Sequence, residues 1–539
     1  MKNERMAAKS EAYAHVNSAW KGACKVILGQ EVGELSDFEP WLLRYLYLIK
    51  HAKSSLSGKD LTITGRDFAP GSRFIRYDEV DFSKKFSPLS INDVKDIDSI
   101  ASAVSERAVY TTNVVLGKSS FVEGSGNVTD GNFIYNCELV VRSKYSGCAI
   151  MLEGSEYCFG NLGARECSFA INTMGGKIVR CFECPSAEEI SDCYYGGSLR
   201  NCTDCMFCFG VENGRHMVGN IALPKEKYFA LKLKLLSEIA QKLKKDKKIF
   251  SLFDIIEKAR VYPHEFKSSD MPKISSSSFD ISPINDAFSK TTEIVFGKPL
   301  STLASYSSLL QKHVPRNIYF SSPFSGAQVI IAGYRTNIPA LHKLDGRMLP
   351  EEEVRAVGKK SIPASDVEKI KVDLDALVSI LHPIAYSDLN KIFGEITNVS
   401  NSAVLRDSAD CYEGSAYIFS KRCSHCFWPL DSENLFGCYA TFKSSFCINS
   451  HYSERLARCF EVDGCKDCSD GYFLHNCENV RNSMFCFNSK NLANAIGNSP
   501  LAPEQYKKIK SSIISQIASE LEKNKDIKYD IYNIGAIRN

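Results

Sequence analysis

The chain has 539 residues, 44% of them hydrophobic and 24% charged, with a formal net charge of +3. That length implies more than one core. The near-balanced charge gives no field to drive the whole chain onto nucleic acid or membrane, and no run reaches the roughly 20 apolar residues of a membrane span. Cysteine is the anomaly, at 21 residues. The opening stretch "MKNERMAAKSEAYAHVNSAW" lacks an apolar signal run. The expectation is therefore a cytoplasmic, reducing setting, or a particle assembled there. Reduced thiols or metal sites are expected in place of a disulfide framework.

In chain order, residues 1–122 read as a small α+β module. "LSDFEPWLLRYLYLIKHA" (35–52) is apolar at helical spacing, and "DFAPGSRFIRYDEVDF" (67–82) reads as strand and turn. A cysteine-rich stretch follows at 123–218, then an amphipathic helix within 219–265. "FKSSDMPKISSSSFDISP" (266–283) has the composition of a linker. The same order then returns: an α+β module at 284–393, a cysteine-rich stretch at 394–496 and a helix within 497–539.

Self-comparison explains the order as a tandem duplication. Residues 180–256 align with 458–534 at an offset of 278, pairing Arg180/Arg458, Glu183/Glu461, Asp192/Asp470, Gly219/Gly497 and Asn220/Asn498. At an offset of 268, "KVILG" (25–29) meets "EIVFG" (293–297) and "SGKDLTI" (57–63) meets "SGAQVII" (325–331). The helices preserve their stripe, Tyr228, Leu231, Leu235, Ile239 and Leu243 against Tyr506, Ile509, Ile513, Ile517 and Leu521. Each is expected to cap the open end of its repeat.

Cys459, Cys468, Cys477 and Cys486 recur every nine residues, and 278 positions earlier stand Cys181, Ile190, Leu199 and Cys208. Ile or Leu cannot replace a zinc-ligating thiolate, whereas a buried free cysteine behaves as a small hydrophobe. Cys181, Cys208, Cys459, Cys468, Cys477 and Cys486 are therefore read as inward-facing core. They belong to a β-solenoid of about nine residues per repeat. The overall reading is a mixed α+β fold with no cofactor. The alternative is zinc, for which the candidate ligands are Cys184, Cys193, Cys202, Cys205 and Cys208, because paired CxxC motifs favour zinc.

No P-loop, dinucleotide glycine motif, HExxH or nucleophile elbow is present. No catalytic residue is assigned. Glu183/Glu461 and Asp192/Asp470 are the repeated carboxylates, expected to cap turns or to pair with Arg180/Arg458 rather than to catalyse. The Gly-Asn pairs are expected to turn the chain into the helix.

One string runs through "NCTDCMFCFGVENGRHMVGNIALPKEKY" (201–228) and "NCENVRNSMFCFNSKNLANAIGNSPLAPEQY" (476–506): Asn-Cys, Phe-Cys-Phe, Gly-Asn, Glu-x-Tyr. It resembles a group of cysteine-rich repeat proteins of uncultured archaea, small-genome bacteria and some tailed viruses, a group without known activity. The resemblance implies a scaffold or virion role.

The expected function is a non-enzymatic structural or assembly protein that associates with itself or with other assembly proteins, with no membrane and no nucleic-acid partner. Two alternatives stand beside it. One is a zinc-stabilised nucleic-acid-binding protein. The other is an enzyme or polymer-binding site on the solenoid flank, which would show a cleft with a carboxylate pair.

Overall fold

The computed structural model describes residues 10–536, apart from 47–48, 64, 91–93, 152–153, 164–165, 275–277 and 334–338. The fold is mixed α+β. Its two largest sheets are parallel ladders, one built from strands between Ser120 and Ala222 and one between Ile392 and Pro500. Each ends in a two-residue antiparallel return.

The pairing register is twelve residues, not nine. Cys181 pairs with Cys193, Cys193 with Cys205 and Cys205 with Met217. Leu435 pairs with Cys447, and Cys447 with Cys459. Within each turn the backbone enters the left-handed region at every third residue, as at Arg455, Arg458, Glu461, Gly464, Asp467, Asp470 and Phe473. Twelve residues at three per corner make a four-cornered coil. A left-handed φ is costly for most side chains and least so for Asn, Asp and Gly. The corners accordingly collect Asn476, Asn479, Asn482, Asn488, Asn491 and Asn494.

The residue after each corner points inward. Cys459, Val462, Cys465, Cys468, Leu474 and Cys477 line the second interior, and Cys181, Cys184, Ile190, Cys193, Leu199 and Cys202 the first. Only small or slender side chains fit. A Cβ on Gly471 would already lie 2.4 Å from Leu474 Cδ1. Nine residues is three sides of a coil, so a cysteine row at that spacing climbs the interior obliquely. Cys459 Sγ reaches the Cys468 carbonyl at 3.8 Å, and Cys477 Sγ that of Cys486 at 3.4 Å.

A helix lies along each ladder. The first flank helix, Glu11–Leu28, starts at Ser10, whose Oγ accepts the Tyr13 N–H at 3.1 Å, and stops at left-handed Gly29. The second, Ser282–Phe296, stops at left-handed Gly297. Short antiparallel hairpins follow both, Lys50–Lys53 with Asp60–Ile63 and Ile318–Ser321 with Gln328–Ile331. The helix expected over 35–52 ends at Leu42, giving way to a 3-10 turn and then to the hairpin strand.

The long helices Lys225–Asp246 and Pro503–Asn524 bury four of the five residues of each expected stripe, with Leu231 and Ile509 half-buried. Leu235, Ile239 and Leu243 share a core with Trp20 and Ile27 of the first flank helix, and Lys232 reaches Asp192 and Asp204 on successive coils. The long helix is thus a flank element.

The ladder ends are met by the opposite half. At the end of the first ladder, Ile362 N–H donates to the Gly219 carbonyl at 3.1 Å and Asn220 Nδ2 to that of Lys360 at 3.1 Å. A Cβ on Gly210 would lie 2.2 Å from the Val354 carbonyl oxygen. At the end of the second, Arg107 donates to the Gly497 carbonyl at 2.5 Å and Ser499 Oγ to that of Phe86 at 2.6 Å. Phe86 and Arg107 close the second ladder, and residues 354–362 close the first. The serine-rich connection is anchored at both sides: Ser268 Oγ donates to the Phe324 carbonyl at 2.6 Å, and Phe279 stacks on Tyr412 at 5.5 Å.

Candidate functional site

The repeated polar residues sit at coil corners, where each meets the side chain one coil away. Arg458 holds Asp470 through two bonds, of 2.9 and 2.7 Å, and Arg180 donates a single bond to Asp192. Glu183 and Glu461 are buried corners. Glu183 accepts Asn172 Nδ2 at 2.8 Å and Arg44 at 2.9 Å. Glu461 accepts Asn449 Nδ2 at 2.8 Å and the Ile531 N–H at 2.8 Å. Burial pushes both carboxyls up to about 7, against Arg44 in one case and His313 in the other. Gly219-Asn220 and Gly497-Asn498 are left-handed pairs at the centre of the final returns. Asn220 and Asn498 each place a side-chain amide against both backbone groups of a last-coil residue, Phe209 and Phe487.

The candidate zinc ligands are all buried in the first ladder. Cys184 Sγ reaches the carbonyls of Phe182 at 3.4 Å and Cys193 at 3.3 Å. Cys202 reaches those of Arg200 at 3.4 Å and Val211 at 3.3 Å. Cys193 meets the Ser191 carbonyl at 3.2 Å and Cys208 that of Met206 at 3.3 Å. Cys205 lies where Cys193, Cys202 and Cys208 converge. Hydrogen bonds with those thiols hold its own far above the usual range, and the bond from Cys205 pulls that of Cys202 down. Among the described residues, no group of three or more His, Cys, Asp or Glu side chains is arranged to hold a metal ion.

Serine repeats the cysteine pattern. Ser420 Oγ donates to the carbonyl two residues back, Ile418, at 2.9 Å and to the one nine residues ahead, Pro429, at 3.2 Å. Cys426 makes the same two bonds, to Ser424 at 3.2 Å and Leu435 at 3.3 Å. The two residue types share one structural role.

The densest cluster of ionisable groups is one the sequence reading did not assemble. Arg66 and Asp463 are fully buried and bonded at 2.9 and 3.1 Å. Tyr532 OH donates to Asp463 at 2.9 Å, and His475 Nδ1 lies 2.8 Å from it. The Thr111 N–H donates to His475 Nε2 at 2.8 Å, so the Nδ1 nitrogen carries the proton given to Asp463. The Arg66 guanidinium lies 4.2 Å over the Tyr452 ring. Arg66 and the proton donated by His475 hold the Asp463 carboxyl well below the usual range. Beside it, Lys312 bonds Asp530 at 2.6 Å, and His313 lies between Asp530 and Asp67 at 3.5 and 3.6 Å. These carboxylates raise His313 to about 9 despite its burial. The cluster draws on both modules, the second ladder and the C-terminal segment, and no single stretch of sequence carries its signal.

Two cavities of about 720 Å³ open at the surface. The first holds Glu39, Glu123 and Tyr135 beside the opening coil of the first ladder. Tyr135 OH donates to Glu39 at 3.0 Å. Burial and the neighbouring Glu39 raise the Glu123 carboxyl, to which Ser10 Oγ donates. The second lies between the second long helix and the second ladder.

No family model, curated protein or solved structure matches the chain. Among the described residues, no helix is long and apolar enough to cross a membrane.

Proposed function

We propose that the chain is a non-enzymatic structural protein. It is a tandem duplication of two cysteine-rich β-solenoids, and it works as a component of a larger assembly through self-association or other assembly proteins. One observation carries the reading. The largest investment of buried charge, the Arg66–Asp463–His475 network, joins the halves to each other rather than facing a cleft. The exchanged ladder ends point the same way. Each half is completed by the other, which suits a rigid building block with two similar faces. The matched helix stops and hairpins support the duplication. The interchange of Cys and Ser inside the coils supports thiols that pack without a metal.

The proposed setting is the reducing cytoplasm, or a particle assembled there, as the resemblance to cysteine-rich repeat proteins suggests. Light scattering coupled to size exclusion, with electron microscopy of the eluate, tests the role. Ordered oligomers that grow with concentration are the expected outcome, and a strict monomer at high concentration would refute it.

A second reading, an enzyme on the ladder flank, is favoured by the Glu39/Glu123 pair in the first cavity. A raised carboxyl beside a second carboxylate is the arrangement that general acid–base chemistry uses. It requires a glycan-hydrolysing activity in the purified chain that Glu123→Gln abolishes with no change in Tm.

A further inference from the structure

We propose that the cavity between the second long helix and the second ladder binds a small oxyanion, the phosphate or carboxylate group of a small molecule, through Lys510 and Lys507. Its floor is a column of corner residues twelve apart, Asp470, Asn482 and Asn494, and its wall is the helix face carrying Tyr506, Lys507 and Lys510.

The same place in the first half shows what has changed. There Lys232 is buried and satisfied, 2.9 Å from Asp204 and 3.7 Å from Asp192. The Phe229 and His216 rings stand 5.6 Å apart beside it. Adding 278 turns Asp204 into Asn482, Phe229 into Lys507 and His216 into Asn494, while Lys232 remains lysine as Lys510. The nearer of the two carboxylates that neutralised the buried amine is gone while the other persists as Asp470, the aromatic plug is gone, and a second amine stands in its place.

Lys510 now lies 3.4 Å from the neutral Asn482 Oδ1, with no carboxylate within ion-pair distance among the described residues. Asp470 is matched by the two bonds from Arg458. Burial lowers the Lys510 amine, and the Asp470 carboxylate nearby offsets this only in part. The Tyr506 hydroxyl is buried in the same wall without a hydrogen-bond partner, a state it shares with Tyr228. The lining carries two carboxylates, Asp470 and Glu504, beside the amines of Lys298, Lys507 and Lys510. Asp470 is taken by Arg458, and an oxyanion offers Lys510 and the Tyr506 hydroxyl the acceptor that Asn482 replaced. About 720 Å³ accommodates a small molecule with the anion at one end.

The test is titration calorimetry of the full chain with sodium phosphate and, separately, with sodium citrate, at pH 7 and constant ionic strength. Saturable binding at one site per chain is expected with at least one probe, and the probe that binds separates phosphate from carboxylate recognition. Asn482→Asp restores the internal carboxylate that the first half already carries in its folded state, so the fold should tolerate it. It should weaken binding at least tenfold, as should Lys510→Met, while Asp204→Asn in the first half leaves it unchanged. No heat with either probe would overturn the proposal, and so would undiminished binding by Asn482→Asp.

Discussion

The side-chain amide of Asn498 pairs with both backbone groups of Phe487, its Oδ1 accepting the N–H and its Nδ2 donating to the carbonyl, each at 2.8 Å. A side chain thereby completes the hydrogen bonding of a coil that has no further coil to pair with. Asn220 does the same for Phe209 at 2.9 Å. An open ladder end would leave these groups unpaired or invite another chain.

Asn498→Asp keeps the size and removes the donor, leaving the Phe487 carbonyl facing a carboxylate. The expected loss is about 1–3 kcal/mol, read as a lower urea midpoint at unchanged slope. An unchanged midpoint would show that solvent satisfies Phe487 equally well.

Thiol and hydroxyl occupy equivalent inward positions, so Cys459→Ser should cost no more than about 1 kcal/mol. Gly471→Val, by contrast, forces bulk against Leu474 and should cost about 1–3 kcal/mol. Treatment with a strong chelator should leave the melting temperature unmoved. A chelator-induced drop, or stoichiometric zinc by plasma mass spectrometry, would favour Cys184, Cys193, Cys202, Cys205 and Cys208 as ligands.

Much of this architecture was legible in the sequence. The two long helices, the buried cysteines and the Arg458–Asp470 pair were each legible in the chain. The coil length did not follow, because the cysteine rows climb obliquely and display nine residues where the chain closes in twelve. The better signal was the asparagine run at 476, 479, 482, 488, 491 and 494, where a residue tolerant of left-handed backbone recurs every third position. The buried cluster was beyond reach for a different reason. Arg66 and Asp463 are 397 residues apart, and an amphipathic pattern states that a face is buried without stating against what.

Four buried groups, Glu183, Glu461, Asp388 and His313, make stability fall as pH rises, Asp388 because burial raises its carboxyl to about 7. Glu183 and Glu461 have folded values near 7, above the ordinary carboxylate value, so their contribution is complete below about 4.5 and lost as pH rises through 7. His313, raised to about 9, contributes fully below about 6.5 and loses that contribution as pH rises through 9. Asp463 and Asp530, held low, act oppositely in acid, and His425, pushed down to about 4 by burial, opposes the decline only below about 6.5. The urea midpoint should therefore decline from pH 5 to pH 9, and the double change Glu183→Gln, Glu461→Gln should flatten the part below pH 7. A midpoint that rises over this range would contradict the assignment.

The exchange of ladder ends predicts how the chain behaves when cut. A protease site inserted between the exposed Pro272 and Lys273 should be cleaved without releasing the halves. The buried Arg66–Asp463 pair, the Arg107–Gly497 bond and the Ile362–Gly219 bond all cross the cut. The two fragments should co-elute at the size of the intact chain. Arg66→Met strands Asp463 without its strongest partner, and breaking a buried pair in this way costs about 3–5 kcal/mol. In the nicked protein the same change should lower the urea concentration at which the fragments separate. Spontaneous separation of the fragments in dilute buffer would mean that each half is complete without the other, and the exchanged ends would then be surface contacts only.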